Sequence, residues 1–144
     1  MEDIVKDLNN FLSDLNVFYR KLQNYHWNVY GEHFFTLHSK LEEYYNKVNE
    51  QIDEIAEHIL MLGKQPLGTM KDYINNTCIT EAKNEKIKAG DVFENVIKDL
   101  KILLKKVTEI KKEADEQSLY ATSALMDEYI SEYMKNLWML NQSK

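Results

Sequence analysis

The sequence predicts an all-α protein: a four-helix bundle with one long crossover that carries a short helix of its own. Three observations lead there. Four segments repeat apolar residues at spacings of three and four, the stripe of an amphipathic helix. Breakers are scarce, four Gly and one Pro in 144 residues, so helices run long and turns are few. Residues 63–90 separate the second and third stripes, far more chain than an up-down hairpin needs. A link of that length can run the whole bundle and restart the chain at the other end. No stretch gives a strand signal, and no repeat or low-complexity tract interrupts a single domain spanning residues 1–144.

The first helix is expected over residues 3–29, where Ile4, Leu8, Phe11, Leu15, Phe18, Leu22, Tyr25 and Val29 form the stripe. His26 and Trp27 fall in its last turn and Gly31 follows as a break. A lone histidine near a helix end is more often a capping or satisfied core residue than a ligand. His26 draws interest because a helix bearing His and carboxylates comes next.

That second helix runs from Phe34 to Leu62 without Pro or Gly, its stripe being Leu37, Leu41, Tyr44, Val48, Ile52, Ile55, Ile59 and Leu62. Gly63 offers a left-handed stop and Pro66 forbids a restart. Beside the stripe lie His38, Glu42, Asp53 and Glu57. At about 100° per residue they project near 0°, 40°, 60° and 100°, one broad face. His38 with Glu42, and Asp53 with Glu57, are i,i+4 pairs, each able to grip one ion. The pairs are separated by roughly 22 Å of helix axis, too far for one metal. If they cooperate, the helix must meet an antiparallel copy of itself across a two-fold axis near Lys47. The spacing thus predicts a metal site shared between subunits, two copies per dimer. Against it stands the plainer reading, a wet helix face, which Glu43, Asn46, Glu50 and Glu54 suit.

In the link, Lys71 to Asn75 can make a short helix. The third long helix is expected from Asp91 to Ala114, with Phe93, Val96, Leu100, Leu103, Val107 and Ile110 inward. Lys105, Lys106, Lys111 and Lys112 are matched there by Glu109, Glu113, Asp115 and Glu116, which reads as a solvated, ion-paired face. The fourth helix spans Ser118 to Leu140, turning Leu125, Tyr129, Tyr133, Leu137 and Leu140 inward.

Composition narrows the function. Apolar residues at 44% and charged ones at 29% suit a soluble globular domain. The net charge of −6, with no Lys/Arg block at either end, argues against direct DNA binding. Cys78 has no partner within the chain, which fits a reducing compartment. MEDIVKDLNN reads as neither signal nor transit peptide, and no apolar run could span a membrane. The expected address is the cytoplasm. Di-iron bundles usually carry Glu-x-x-His pairs aimed into the core. Here Gln23, Tyr30, Phe35 and Ile55 stand three before the histidines, so an intra-bundle di-iron centre is not expected.

HWNVYG, then FFTLH with its histidine twelve residues after His26, then DEIAE and LGKQPLGT, resemble the Dps family of mini-ferritins, and the likeness covers nearly the whole chain. The resemblance implies a ferritin-like fold and a hollow homododecamer. It also implies oxidation of Fe²⁺ at two-fold interfaces, with hydrogen peroxide as the preferred oxidant, and storage of the ferric mineral inside. His26 and His38 would come from one subunit, Asp53 and Glu57 from its partner. These are the expected catalytic residues, and Glu42 joins them as a metal ligand where many members have Asp. Two Fe²⁺ would be oxidised per site. The ligand types alone would equally accept Zn²⁺ or Mn²⁺. By the same analogy Trp27 is a radical trap, its alternative being an aromatic packed at the interface. Glu54 is a candidate for orienting ligands, while His33 and His58 stay off the pattern as ordinary, partly exposed residues. The family commonly lines its iron-entry pores with acids near the start of the fourth helix. Leu119 to Ala124 hold none, leaving Asp115, Glu116, Asp127 and Glu128 as stand-ins. The competing reading is a DNA-compacting protein with little ferroxidase role; another is an inert helical shell.

Overall fold

A computed structural model describes all residues, Met1–Lys144. Seven elements follow in order: α1 (Glu2–Asn28), β1 (Val29–Tyr30), α2 (Phe34–Met61), α3 (Met70–Asn76), β2 (Ile87–Lys88), α4 (Ala89–Glu116) and α5 (Tyr120–Ser143). The four long helices fall within three residues of their expected limits. One apolar core draws on all of them, and no helix is long and apolar enough to cross a membrane.

The crossover is pinned to α1 along its length by polar contacts. The Leu67 backbone N–H donates to Asn9, Thr77 and the Cys78 backbone donate to Asp14, and Lys21 Nζ donates to the Thr80 carbonyl at 2.6 Å. Beyond these, β1 pairs in parallel with β2, Val29 facing Ile87 and Tyr30 facing Lys88. The chain therefore travels parallel to α1 and delivers α4 to the end where α1 finishes. This strand pair departs from the expectation of none. Two residues carry no readable period, and the pairing exists because both hairpin ends arrive together.

Buried polar groups lock the helices laterally. Lys21 on α1 meets Asp99 on α4 at 2.8 Å, both nearly inaccessible to water. Burial pushes the Asp99 carboxyl above its ordinary range, and Lys21 pulls it back. Between α2 and α5, His58 Nε2 lies 2.7 Å from Thr122 Oγ1 and Tyr133 donates to Gln51. His58 is thus buried rather than partly exposed: it stands between Ile55 and Ile59 on the core side of α2, and Thr122 satisfies it there. Burial lowers its pKa. On α5, Leu125 and Leu137 are only partly buried, and Thr122, Ser123 and Met126 join Tyr129, Tyr133 and Leu140 inward.

Candidate metal centre

The site is built at the α1–α2 turn. Val29 goes extended at φ −64°, ψ 143°, ending α1, and Gly31 takes φ +100°, a conformation that glycine enters without strain. His33 follows in the left-handed region at φ 66° before α2 begins. This reversal sets the last turn of α1 beside the second turn of α2, and so His26 beside His38.

The two imidazoles stack, centroids 3.7 Å apart and planes 12° from parallel. Each ring bonds to the other residue's backbone: His26 Nδ1 to the His38 carbonyl at 2.6 Å, His38 Nδ1 to the His26 carbonyl at 2.7 Å. A carbonyl oxygen only accepts, so each Nδ1 carries the hydrogen and donates it. In the neutral rings the lone pairs then sit on Nε2. This is the outer-shell arrangement that orients metal-binding histidines, supplied here by helix backbone. Phe34 stacks on His38 at 5.1 Å, and Tyr45 meets His26 edge-on at 5.5 Å. Glu42 Oε1 lies 3.7 Å from His26 Nε2.

His26 is 7% exposed, His38 half-buried and Glu42 exposed. One chain thus gathers three of the five expected ligands. Asp53 and Glu57 are exposed farther down α2 and make no hydrogen bond or ion pair within the chain. No group of three or more His, Cys, Asp or Glu closes into a metal site inside one chain.

Several expectations change here. Glu54 accepts from Tyr129 on α5 at 3.3 Å, so its contact lies with that helix and not with a ligand. Trp27 is 56% exposed, with the Arg20 guanidinium 5.9 Å from its ring centre. Of the four lysines expected in ion pairs on α4, only Lys111 makes one, reaching Asp127 at 3.0 Å and Asp115 at 3.7 Å. Two of the acids considered for iron entry are therefore already held by a cation. Tyr45 was missed, although its spacing of three from Glu42 and seven from His38 puts it on their face. His33 remains exposed, its ring edge toward Phe93.

A bundle with this crossover and this imidazole–carboxylate face defines a ferritin-like protein, and the ferritin-like domain family matches residues 5–143. The "DNA protection during starvation protein 2" of Bacillus anthracis is 39% identical over 142 residues, 96% of this chain and 94% of the relative. The antigen TpF1 from Treponema pallidum superposes with TM-score 0.97 at 32% identity, covering 99% of this chain and 91% of that one. The Dps protein from Vibrio cholerae O1, described as a member of a broad superfamily of ferritin-like diiron-carboxylate proteins, gives 0.94 at 37%, covering 98% and 88%. The chain belongs to the Dps family of ferritin-like proteins.

Proposed function

We propose that this protein is an iron-detoxifying ferroxidase and iron store, acting at sites shared across a two-fold interface. His26, His38 and Glu42 of one subunit face Asp53 and Glu57 of its partner, and Fe²⁺ is the substrate they hold. The observation that carries this reading is the reciprocal bonding of His26 and His38. It consumes both Nδ1 hydrogens and leaves two oriented Nε2 lone pairs beside a carboxylate. Imidazole with carboxylate suits Fe²⁺. A histidine pair at one end of α2 and a carboxylate pair at the other become one site only when a second copy lies antiparallel.

At such a site two Fe²⁺ give two electrons to hydrogen peroxide. Two protons enter, the O–O bond breaks, and two waters leave with no hydroxyl radical. The ferric product collects within a hollow homododecamer. Large exposed apolar side chains, among them Met61, Met70, Tyr120 and Trp138, support burial by further copies. Exposed, unpaired Cys78 suits the reducing cytoplasm.

The test is anaerobic titration of the metal-free protein with Fe²⁺, then peroxide, following ferric absorbance. A fast phase saturating at two Fe²⁺ per site, absent in His38→Ala and in Asp53→Ala, is expected. Activity returning when the two variants are co-assembled supports a site built from both chains. No fast phase from an intact helical shell overturns the reading.

One observation favours a second reading, DNA binding. Lys98, Lys101 and Lys105 line a shallow cleft on α4 with Lys144 and a single acid, Glu94, and none of the four lysines is ion-paired. A low-salt gel shift, abolished in a triple Lys→Glu variant and steeply weakened by salt, would support it.

A further inference from the structure

A cavity of about 640 Å³ opens between α1, the end of the crossover and the first half of α4, and none of the proposed iron ligands lines it. Its size falls within the range of small-molecule pockets, roughly 300–1,000 Å³. Lys21, Tyr25 and Asp99 form its floor, each more than nine-tenths buried, with Asn95 beside them. Three of these four side chains keep bonding capacity that the chain does not use. The Lys21 ammonium has three N–H groups and gives two, to the Thr80 carbonyl and to Asp99. Tyr25 accepts from the Asn95 amide at 3.1 Å and donates its own O–H to nothing within the chain. Asn95 keeps its second N–H and its carbonyl oxygen.

The rim differs in kind. Lys83, Lys86, Lys88 and Lys98 stand there exposed and in no ion pair, with Glu81, Glu85 and Asp91 as the acids among them. Lys21 and Asp99 cancel on the floor, so the wall as a whole carries one positive charge, in a chain whose net charge is −6. The lysine cleft of α4 adjoins it through Lys98 and Ile102 and adds to that sign. Tyr30 and Ile87, on the paired strands, supply an apolar side.

We propose that this cavity binds a small phosphate monoester with a hydroxylated body, the chemistry that a sugar phosphate and a mononucleotide share. The phosphate lies among the rim lysines, which meet it as point charges. The body reaches the floor, where the Tyr25 O–H and the unused N–H groups of Lys21 and Asn95 donate to it, and the Asn95 oxygen and Asp99 accept from it. A phosphate on the floor would face the Asp99 carboxylate, so charge sets the direction in which the ligand enters. The body is polar because an apolar one would strip water from those donors and leave them unpaired. Burial raises the pKa of the Tyr25 phenol, with Asn95 opposing and Asp99 adding, so Tyr25 stays a donor at neutral pH. The ferroxidase reading is not needed for any of this; the packing of α1, the crossover and α4 is.

The experiment is isothermal titration calorimetry of the metal-free, assembled protein with four probes: adenosine monophosphate, ribose 5-phosphate, ribose and inorganic phosphate. One of the two phosphate monoesters is expected to bind once per subunit with Kd below about 1 mM, and at least about tenfold more tightly than ribose or inorganic phosphate. Which of the two binds better tells a nucleotide from a sugar phosphate. Lys83→Glu with Lys86→Glu, both at exposed positions, is expected to abolish binding. Tyr25→Phe loses only the O–H and is expected to weaken binding about 3–10-fold, the worth of one hydrogen bond. Lys101→Glu with Lys105→Glu, in the adjoining cleft, is expected to change it far less. Should Tyr25→Phe lose helical content, Asn95→Ala reads the floor in its place, with the same weakening expected. Inorganic phosphate binding as tightly as either monoester overturns the proposal, as does ribose doing so. Loss of binding in the cleft variant but not in the rim variant overturns it too, and so does the absence of saturable heat from all four probes.

Discussion

The bundle's two hairpins turn at opposite ends, and each is tied by polar side chains, yet they are left in opposite electrostatic states. At the α1–α2 turn the histidines bond to backbone carbonyls through Nδ1, so the atoms that could hold a cation remain free. At the α4–α5 turn Lys111 reaches Ser123 Oγ at 2.7 Å and both Asp115 and Asp127. The place a metal would take among those oxygens is filled by an ammonium group. Density of polar residues therefore does not mark a site. What marks it is how the bonds are distributed, whether they exhaust the donors and acceptors or merely aim them.

The largest effect expected from testing this contrast comes from the clamp between the hairpins, where the charges are buried as well as paired. Lys21→Met leaves Asp99 without its cation among buried neighbours, and is expected to cost about 3–5 kcal/mol. Denaturant midpoints measured at one protein concentration check it, since assembly links stability to concentration. A shift as small as that of a surface pair would mean that water reaches Asp99 and the clamp is not a buried one.

Next comes His26→Asn. The amide keeps an N–H that can reach the His38 carbonyl but offers no Nε2. We expect helical content to hold while the fast ferric phase slows by at least about 10–100-fold, the loss seen when even outer-shell partners of metal ligands are removed. Stopped-flow absorbance reads it. Equal loss of fold and activity would show the histidine pair to be a structural tie, as Lys111 is.

Much of this contrast was legible in the sequence, for particular reasons. Helix stripes and the long crossover follow from apolar periodicity, and His38, Glu42, Asp53 and Glu57 share a face by arithmetic alone. His58 could not be placed that way. It lies on the edge of the α2 stripe, and only its position against α5 reveals that Thr122 satisfies it. The Nδ1-to-carbonyl bonds were equally out of reach, because they depend on how tightly five turn residues fold the chain back. Lys98 and Lys101 stand in no basic run, and Lys105 reads as part of an ion-paired face; only the helix shows the three lying together without acidic partners in ion-pair reach.

At the second hairpin, Lys111→Met should cost only about 0.2–1 kcal/mol, because its acidic partners are largely in water. The fast phase should be unaltered. A thermal scan beside the stopped-flow trace tests both halves. A loss of iron oxidation here would put the α4–α5 turn on the iron's route and break the contrast at its root.

The smallest effect is expected from Glu113, near the open C-terminal end of α4, and it concerns pH. Its carboxyl is pushed up to about 7, first by a hydrogen bond shared with Asp7, then by burial and the charges of Asp7, Asp3 and Glu116. An acid that holds its proton more tightly folded than unfolded stabilises the fold at low pH. That contribution is withdrawn as pH rises from the ordinary value of 4.5 through about 7. Glu113→Gln keeps a donor for Asp7 at every pH, so its stability is expected to stay level across that window while that of wild type falls. Unfolding midpoints at pH 5 and pH 8 decide it. Parallel curves for the two proteins would place the titrating group elsewhere and leave the α1–α4 end of the bundle indifferent to pH.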